Sequence, residues 1–269
     1  ESLVTCDDLN KREVCDRGLI VVLAGMLSYF GDANRFNEGR EAAAMIVSQS
    51  IRCMWLLLLS DAQEISLSEV SQEIALELLI SDIMDCLAVA ASTHTEDAYV
   101  QQFTLQFVDA IVETVRTDRV SKNKTDWSET VVVAKTIRSH LMTDDSVIEM
   151  VINAMAAHPH ISNIQWQSVV TLIGFAKLSP SSLRSFVDHR GHEVLTSTMS
   201  TNLHVPQLLE QICRLICVLC SGEERNAMQI KLVSVNASAL LHKAVFFHSL
   251  HHGVCHWTSK ADAALAPSG

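Results

Sequence analysis

The chain has 269 residues, 48% of them hydrophobic, with only 4 Pro and 9 Gly: ample apolar material for a core and little turn chemistry for an all-β protein. Its 31 acidic and 20 basic residues give a net charge of -11, which repels phosphate backbones and argues against nucleic acid as a partner. The longest apolar runs, LIVVLAGML from Leu19 and MWLLLL from Met54, fall well short of the roughly 20 residues of a membrane span, so no membrane insertion is expected.

In chain order, apolar periodicity and breaker signals give a short amphipathic helix, a second apolar helix and a longer third one, and this order recurs about five times. The second helices begin near Gly18, Asp82, Val147, Gly191 and Ala237, which makes Met26, Ala90, Met155, Met199 and Val245 equivalent. The clearest echo pairs DRGLIVVLAGMLSYF from Asp16 with HRGHEVLTSTMSTN from His189. An ungapped overlay of the stretches from Asp82 and Val147 sets Leu87 on Ile152, Phe107 on Leu172 and Val108 on Ile173. The longer spacings in the N-terminal half need insertions, placed before a helix at Ser66 to Leu79 and in SKNKTD from Ser121, ahead of a long helix from Trp127 to Leu141. Residues 1–257 read as one domain, with fainter repeats over 1–118 and clearer ones over 119–250, followed by a flexible tail over 258–269.

The segment from Arg184 to Val245 resembles the armadillo-repeat family. The resemblance lies in the small residue that opens the second helix, the apolar third helix ending Leu219-Cys220-Ser221-Gly222, and the polar restart Glu223-Glu224-Arg225-Asn226. It extends more faintly over 82–178 and 7–58, and a HEAT-like or mixed solenoid is the alternative. The resemblance implies an all-α fold, a right-handed α-solenoid of about five repeats, whose third helices line a groove for extended peptides. Where importin-like and catenin-like repeats carry a backbone-clamping Asn, this chain has Val218 and Phe175, which argues against a receptor for nuclear-localisation signals.

Superposed third helices give columns at i, i+4 and i+7, a spacing that places three residues on one face. Gln102, Gln106 and Asp109 fall beside Gln167, Thr171 and Gly174, then Glu210, Arg214 and Cys217. This polar stripe is the candidate partner groove, against the plainer reading of a solvated helix face. Near the C-terminus His248, His252, Cys255 and His256 crowd into HSLHHGVCHW, donors suited to zinc, although no second ligand arm completes a finger and Gly253 interrupts the expected helix. The plainer reading is a His-rich terminal helix.

No nucleophile elbow, dinucleotide loop or phosphate loop is present, so neither catalysis nor a cofactor is expected. Asp7-Asp8, Asp144-Asp145 and Glu223-Glu224 sit where helices should begin and read as first-turn charges. The eight cysteines are scattered through apolar helices and read as buried thiols in a reducing cytoplasm. Trp55 reads as core, and Trp127 and Trp166 as partly exposed. The function expected is a scaffold for other proteins, either a structural subunit of a cytoskeletal, ciliary or flagellar assembly that stacks through apolar ends, or a soluble adaptor that binds peptides in the groove.

Overall fold

In the computed structural model, residues 8–32, 39–59, 69–116, 135–139, 145–178, 181–221 and 225–266 are described. Among them every regular element is a helix, so the protein is all-α. The helices are α1 (Asp8–Asp16), α2 (Leu19–Phe30), α3 (Arg40–Leu58), α4 (Glu69–Ile80), α5 (Ile83–Thr93), α6 (Ala98–Arg116), α7 (Ser146–Ala157), α8 (Ser162–Leu178), α9 (Ser181–Asp188), α10 (Gly191–Thr201), α11 (Pro206–Leu219), α12 (Arg225–Ser234), α13 (Ala237–Phe247) and α14 (His252–Leu265). The chain divides into two compact units, 1–147 and 148–269, where a single domain was expected, and the boundary falls in the first turn of α7. The helix expected at Ser66 to Leu79 is α4. Of the long helix expected from Trp127 to Leu141, residues 135–139 are helical and the rest, with the SKNKTD segment, lies outside the described residues.

In the first unit, first helix packs on first helix (α1 on α4), second on second (α2 on α5) and third on third (α3 on α6). In the second unit α10 packs on α13, and the third helices α8, α11 and α14 lie side by side with α11 in the middle. The core sits between these layers. Ile51, Met54, Leu57 and Leu58 of α3, and Leu208, Leu209, Ile212 and Leu215 of α11, are fully buried, each such side chain contributing about 1.5–3 kcal/mol.

Two kinds of turn recur. Before α2, α5, α10 and α13 the chain passes through one left-handed residue, Gly18, Asp82, Arg190 and Asn236, with φ of 87°, 52°, 58° and 60°. A left-handed residue costs a side chain roughly 1–2 kcal/mol, least for Gly, Asn and Asp, which hold three of the four positions. Between second and third helices a second turn is built four times on the same hydrogen bonds. The N–H groups of His94, His158, Asn202 and His248 close the second helix onto Ala90, Ala154, Thr198 and Ala244 O. Those of Asp97, Ile161, Val205 and His251 then reach His94, His158, Asn202 and His248 O.

Side chains lock these turns. Gln101 Nε2 donates to Ala91 O and His94 O at 2.8 and 3.2 Å, and Gln165 Nε2 donates to Met155 O and His158 O at 2.8 and 2.9 Å. Both Gln side chains are buried, so each satisfies two carbonyls that water does not reach. A further set ties one turn to the turn before it: His94 Nε2 to Phe30 O (3.1 Å), Asn202 Nδ2 to Pro159 O (2.9 Å) and His248 Nε2 to Leu203 O (2.7 Å).

These bonds set the internal register at 64 residues between His94 and His158, one fewer than the apolar overlay gives. Leu87 therefore corresponds to Val151, and the equivalent second-helix positions are Ala90, Ala154, Thr198 and Ala244, each buried, in place of Met155, Met199 and Val245. The flexible tail expected from residue 258 is instead the second half of α14, which runs to Leu265 and buries Thr258, Ala261 and Leu265 against the preceding helices.

Candidate interaction face

The third helices carry the residues that the periodicity selected, and each unit treats them differently. In the first unit, Gln102, Gln106 and Asp109 stand half-buried along one face of α6. Gln106 Oε1 is buried without a hydrogen-bond partner. Across from this face, the Arg52 guanidinium of α3 lies 5.7 Å from the ring centre of Phe103 on α6.

In the second unit, the turn register moves the stripe by one residue. Thr171 is fully buried and donates its hydroxyl to Gln167 O at 2.9 Å, so it offers nothing to a partner. Counting from the shared turn, the residue that matches Gln102 and Glu210 is Trp166, 41% exposed, rather than Gln167. Its indole is the side chain that the one-residue slip hid.

On α11 Glu210 and Arg214 form an ion pair at 2.5 Å, one turn apart. The Arg214 guanidinium lies 4.8 Å from the ring centre of Trp257 on α14, and Lys260 Nζ lies 4.7 Å from the same ring. A cation over an indole is attracted by the ring quadrupole, roughly 0.5–2 kcal/mol depending on exposure. Phe103 and Trp257 stand equally far from the shared turn, and each ring is approached by an Arg of the preceding third helix. Gly253 of α14 sits beside Glu210, and a Cβ there would reach the tip of the Glu210 carboxylate. It belongs to the helix and does not interrupt it.

The His and Cys cluster does not converge on a metal site. His248 Nε2 is engaged by Leu203 O, His251 Nδ1 caps α14 by accepting Val254 N–H at 3.2 Å, and Cys255 Sγ points to the His248 and Ser249 carbonyls at 3.5 Å. His252 and His256 stack on one another at 6.1 Å along the helix surface. Among the described residues no group of three or more His, Cys, Asp or Glu is placed to hold a metal ion. HSLHHGVC is the fourth copy of the second-to-third helix turn: His248 stands where His94 does and Cys255 where Gln101 does.

The thiols are shielded rather than activated. Burial pushes Cys213 up to about 12, despite a hydrogen bond with Thr258, and pushes Cys15 and Cys220 up to about 11. Burial also raises Cys86 and Cys217. At neutral pH these five are thiols, not thiolates. Trp55, expected in the core, is half-buried, and Trp127 lies outside the described residues.

No family model, curated protein or solved structure matches this chain. The functional reading therefore rests on its own geometry.

Proposed function

We propose that this chain is a non-catalytic interaction scaffold, a right-handed α-solenoid of armadillo-like repeats that holds other proteins. The recurrence of one turn at His94, His158, Asn202 and His248, with the same backbone bonds each time, carries the reading. Repeats that bury their faces on their neighbours present long ordered surfaces, whose usual work is binding. The partner-binding face is that of the third helices, and in the second unit its contacts are Trp166, Arg214, Trp257 and Lys260. Indole and guanidinium groups dominate binding energy at interfaces, and here the Arg214 guanidinium is held by Glu210 against the Trp257 indole. The occupant is an extended segment or a helix of another protein. A role as a building block in a cytoskeletal, ciliary or flagellar assembly is the form of this function that the armadillo resemblance allows.

The test is crosslinking and mass spectrometry on the tagged chain purified from its native cell, beside the variants Trp166→Ala and Lys260→Ala, whose side chains reach solvent. Crosslinks from Lys177 and Lys260 to one short partner segment, with its recovery reduced about tenfold in the variants, are expected. Equal recovery by the variants would remove the third-helix face from the proposal.

A further inference from the structure

Histidines apart, the third helices α8, α11 and α14 of the second unit hold three cations, Lys177, Arg214 and Lys260, and two carboxylates, Glu210 and Asp262. Both carboxylates are engaged within the unit. Glu210 pairs with Arg214 one turn on. Asp262 turns to α13, where its Oδ1 accepts from Ser238 Oγ at 2.7 Å and its Oδ2 lies 3.4 Å from His242 Nε2. Lys260 is exposed, with its Nζ 4.7 Å from the centre of the Trp257 ring, and among the described residues no carboxylate lies within ion-pair distance of it.

Counted from the shared turn, Val170, Arg214 and Lys260 stand at one level of the three helices, with Trp166 and Glu210 one turn before the first two. Helix α11 has α8 on one flank and α14 on the other, and still the Arg214 side chain is 40% exposed. This face is open in the middle of a stack and not at an edge of it. The same positions on α6 of the first unit read Gln102, Gln106, Asp109 and Glu113, with no cation among them. The excess of positive charge is therefore particular to the second unit.

We propose that the occupant of this face is an acidic extended segment of another protein, an inference that rests on reading the chain as a scaffold and adds the chemistry of what it holds. The segment sets an aromatic or apolar side chain against Trp166 and Val170 and a carboxylate against Lys260. Packed helices lie about 8–10 Å apart, so the path from α8 over α11 to α14 is roughly 16–20 Å, which an extended chain at about 3.3 Å per residue crosses in about five or six residues. Its acidic residue should stand that far from its anchor. Between the two it passes Arg214, which Glu210 already neutralises, so the middle of the segment need carry no charge.

Two features make Lys260 a better partner for a carboxylate than an isolated surface lysine. The half-buried Trp257 ring attracts the ammonium and holds it in place, which reduces the entropy lost on pairing. The ring also keeps water from one side of the charge, where Coulomb attraction is less screened. The Arg214 guanidinium lies 4.8 Å from the centre of the same ring, so a basic segment would meet like charge there.

Selection of peptides on the full chain tests this, using a phage-displayed library of random twelve-residue peptides, with the variants Lys260→Glu and Trp166→Ala beside the original. Enriched peptides should place Asp or Glu about five or six residues from an aromatic residue or Leu. Fluorescence anisotropy with the best of them, labelled with fluorescein, should show binding that weakens with salt and falls about tenfold in each variant. Changing the acidic residue of the peptide to Lys should weaken binding to the original chain about tenfold and restore binding to Lys260→Glu, an exchange that a misfolded variant could not produce. Enriched peptides without an acidic position, or with affinity unchanged by Lys260→Glu, overturn the proposal. If those peptides still lose affinity in Trp166→Ala, the third-helix face stands as the partner site with another chemistry. Acidic peptides indifferent to both variants overturn the proposal together with that face. No enrichment at all overturns the acidic segment and leaves the scaffold reading to the crosslinking of the native partner.

Discussion

Cys213 shows how strongly the repeat packing controls chemistry at the residue scale. Its side chain is fully buried between α11 and α14, with the Thr258 hydroxyl 3.5 Å away, and burial raises its thiol to about 12 from the ordinary 9.0. The fold therefore favours the protonated form. Its contribution to stability is fully present below pH 9, the unfolded value, and is lost as pH rises from there toward 12. Cys15 and Cys220 act in the same direction over the narrower window from 9 to about 11. Denaturant midpoints should thus fall steadily above pH 9, and Cys213→Ala should flatten that fall. In pulsed alkylation near neutral pH, Cys213 should label only at the rate of unfolding, while half-buried Cys53 and Cys255 label sooner. Rapid native labelling of Cys213 would mean that α14 opens from α11 far more readily than its packing implies.

Gln165 does at the scale of the element what Cys213 cannot, because it joins three helices. Its amide nitrogen holds Met155 O and His158 O at the end of α7, and its Oε1 accepts the Thr198 hydroxyl of α10 at 2.6 Å. Gln101 makes the first two bonds on α5, but the matching residue of the next second helix is Ala154, which has no hydroxyl to offer. Gln165→Ala should cost about 2–4 kcal/mol, since it leaves two buried carbonyls unpaired. Thr198→Val should cost about 1 kcal/mol. A double-mutant cycle by urea denaturation should give a coupling of about 0.5–1.5 kcal/mol, and a coupling near zero would mean the Gln165–Thr198 bond adds nothing. The same residues explain how far the sequence could be read. Helix type, most helix positions and the second-helix starts follow from apolar periodicity, but an overlay built on apolar positions tolerates a slip of one residue, because apolar stripes are wide. That slip put Thr171 in the partner stripe and left out Trp166. The missing signal was polar: His followed seven residues later by Gln, in HTEDAYVQ from His94 and HPHISNIQ from His158. HSLHHGVC from His248 is its degenerate copy, with Cys in place of Gln, and reading it by composition suggested zinc. The stacking of Arg214 on Trp257 was illegible for a different reason, since it depends on how α14 packs on α11, which no local pattern encodes.

Charge is divided unevenly over the whole molecule. Residues 1–147 carry 12 basic and 24 acidic residues, a net of -12, and residues 148–269 carry 8 and 7, a net of +1, together with ten of the twelve histidines. All of the excess acidity of the chain therefore lies in the first unit, whose ion pairs include those of Arg12 with Asp16 and Glu73 and of Arg17 with Glu13, all at the surface. Exposed pairs of this kind contribute about 0–1 kcal/mol each, too little to offset the mutual repulsion of the carboxylates in excess. Repulsion among exposed charges acts over roughly a Debye length, about 10 Å at 0.1 M salt, so added salt should relieve it. The first unit should accordingly gain stability with salt, by about 1 kcal/mol or more between low and high ionic strength, and the second should change little. Hydrogen exchange with mass spectrometry reads both units in one sample. Slower exchange in peptides of α3 and α6 at high salt, with α8 and α11 unchanged, is the expected pattern. Equal slowing in both units would point to a general effect of salt on burial and would show that charge asymmetry does not set the stability of the first unit.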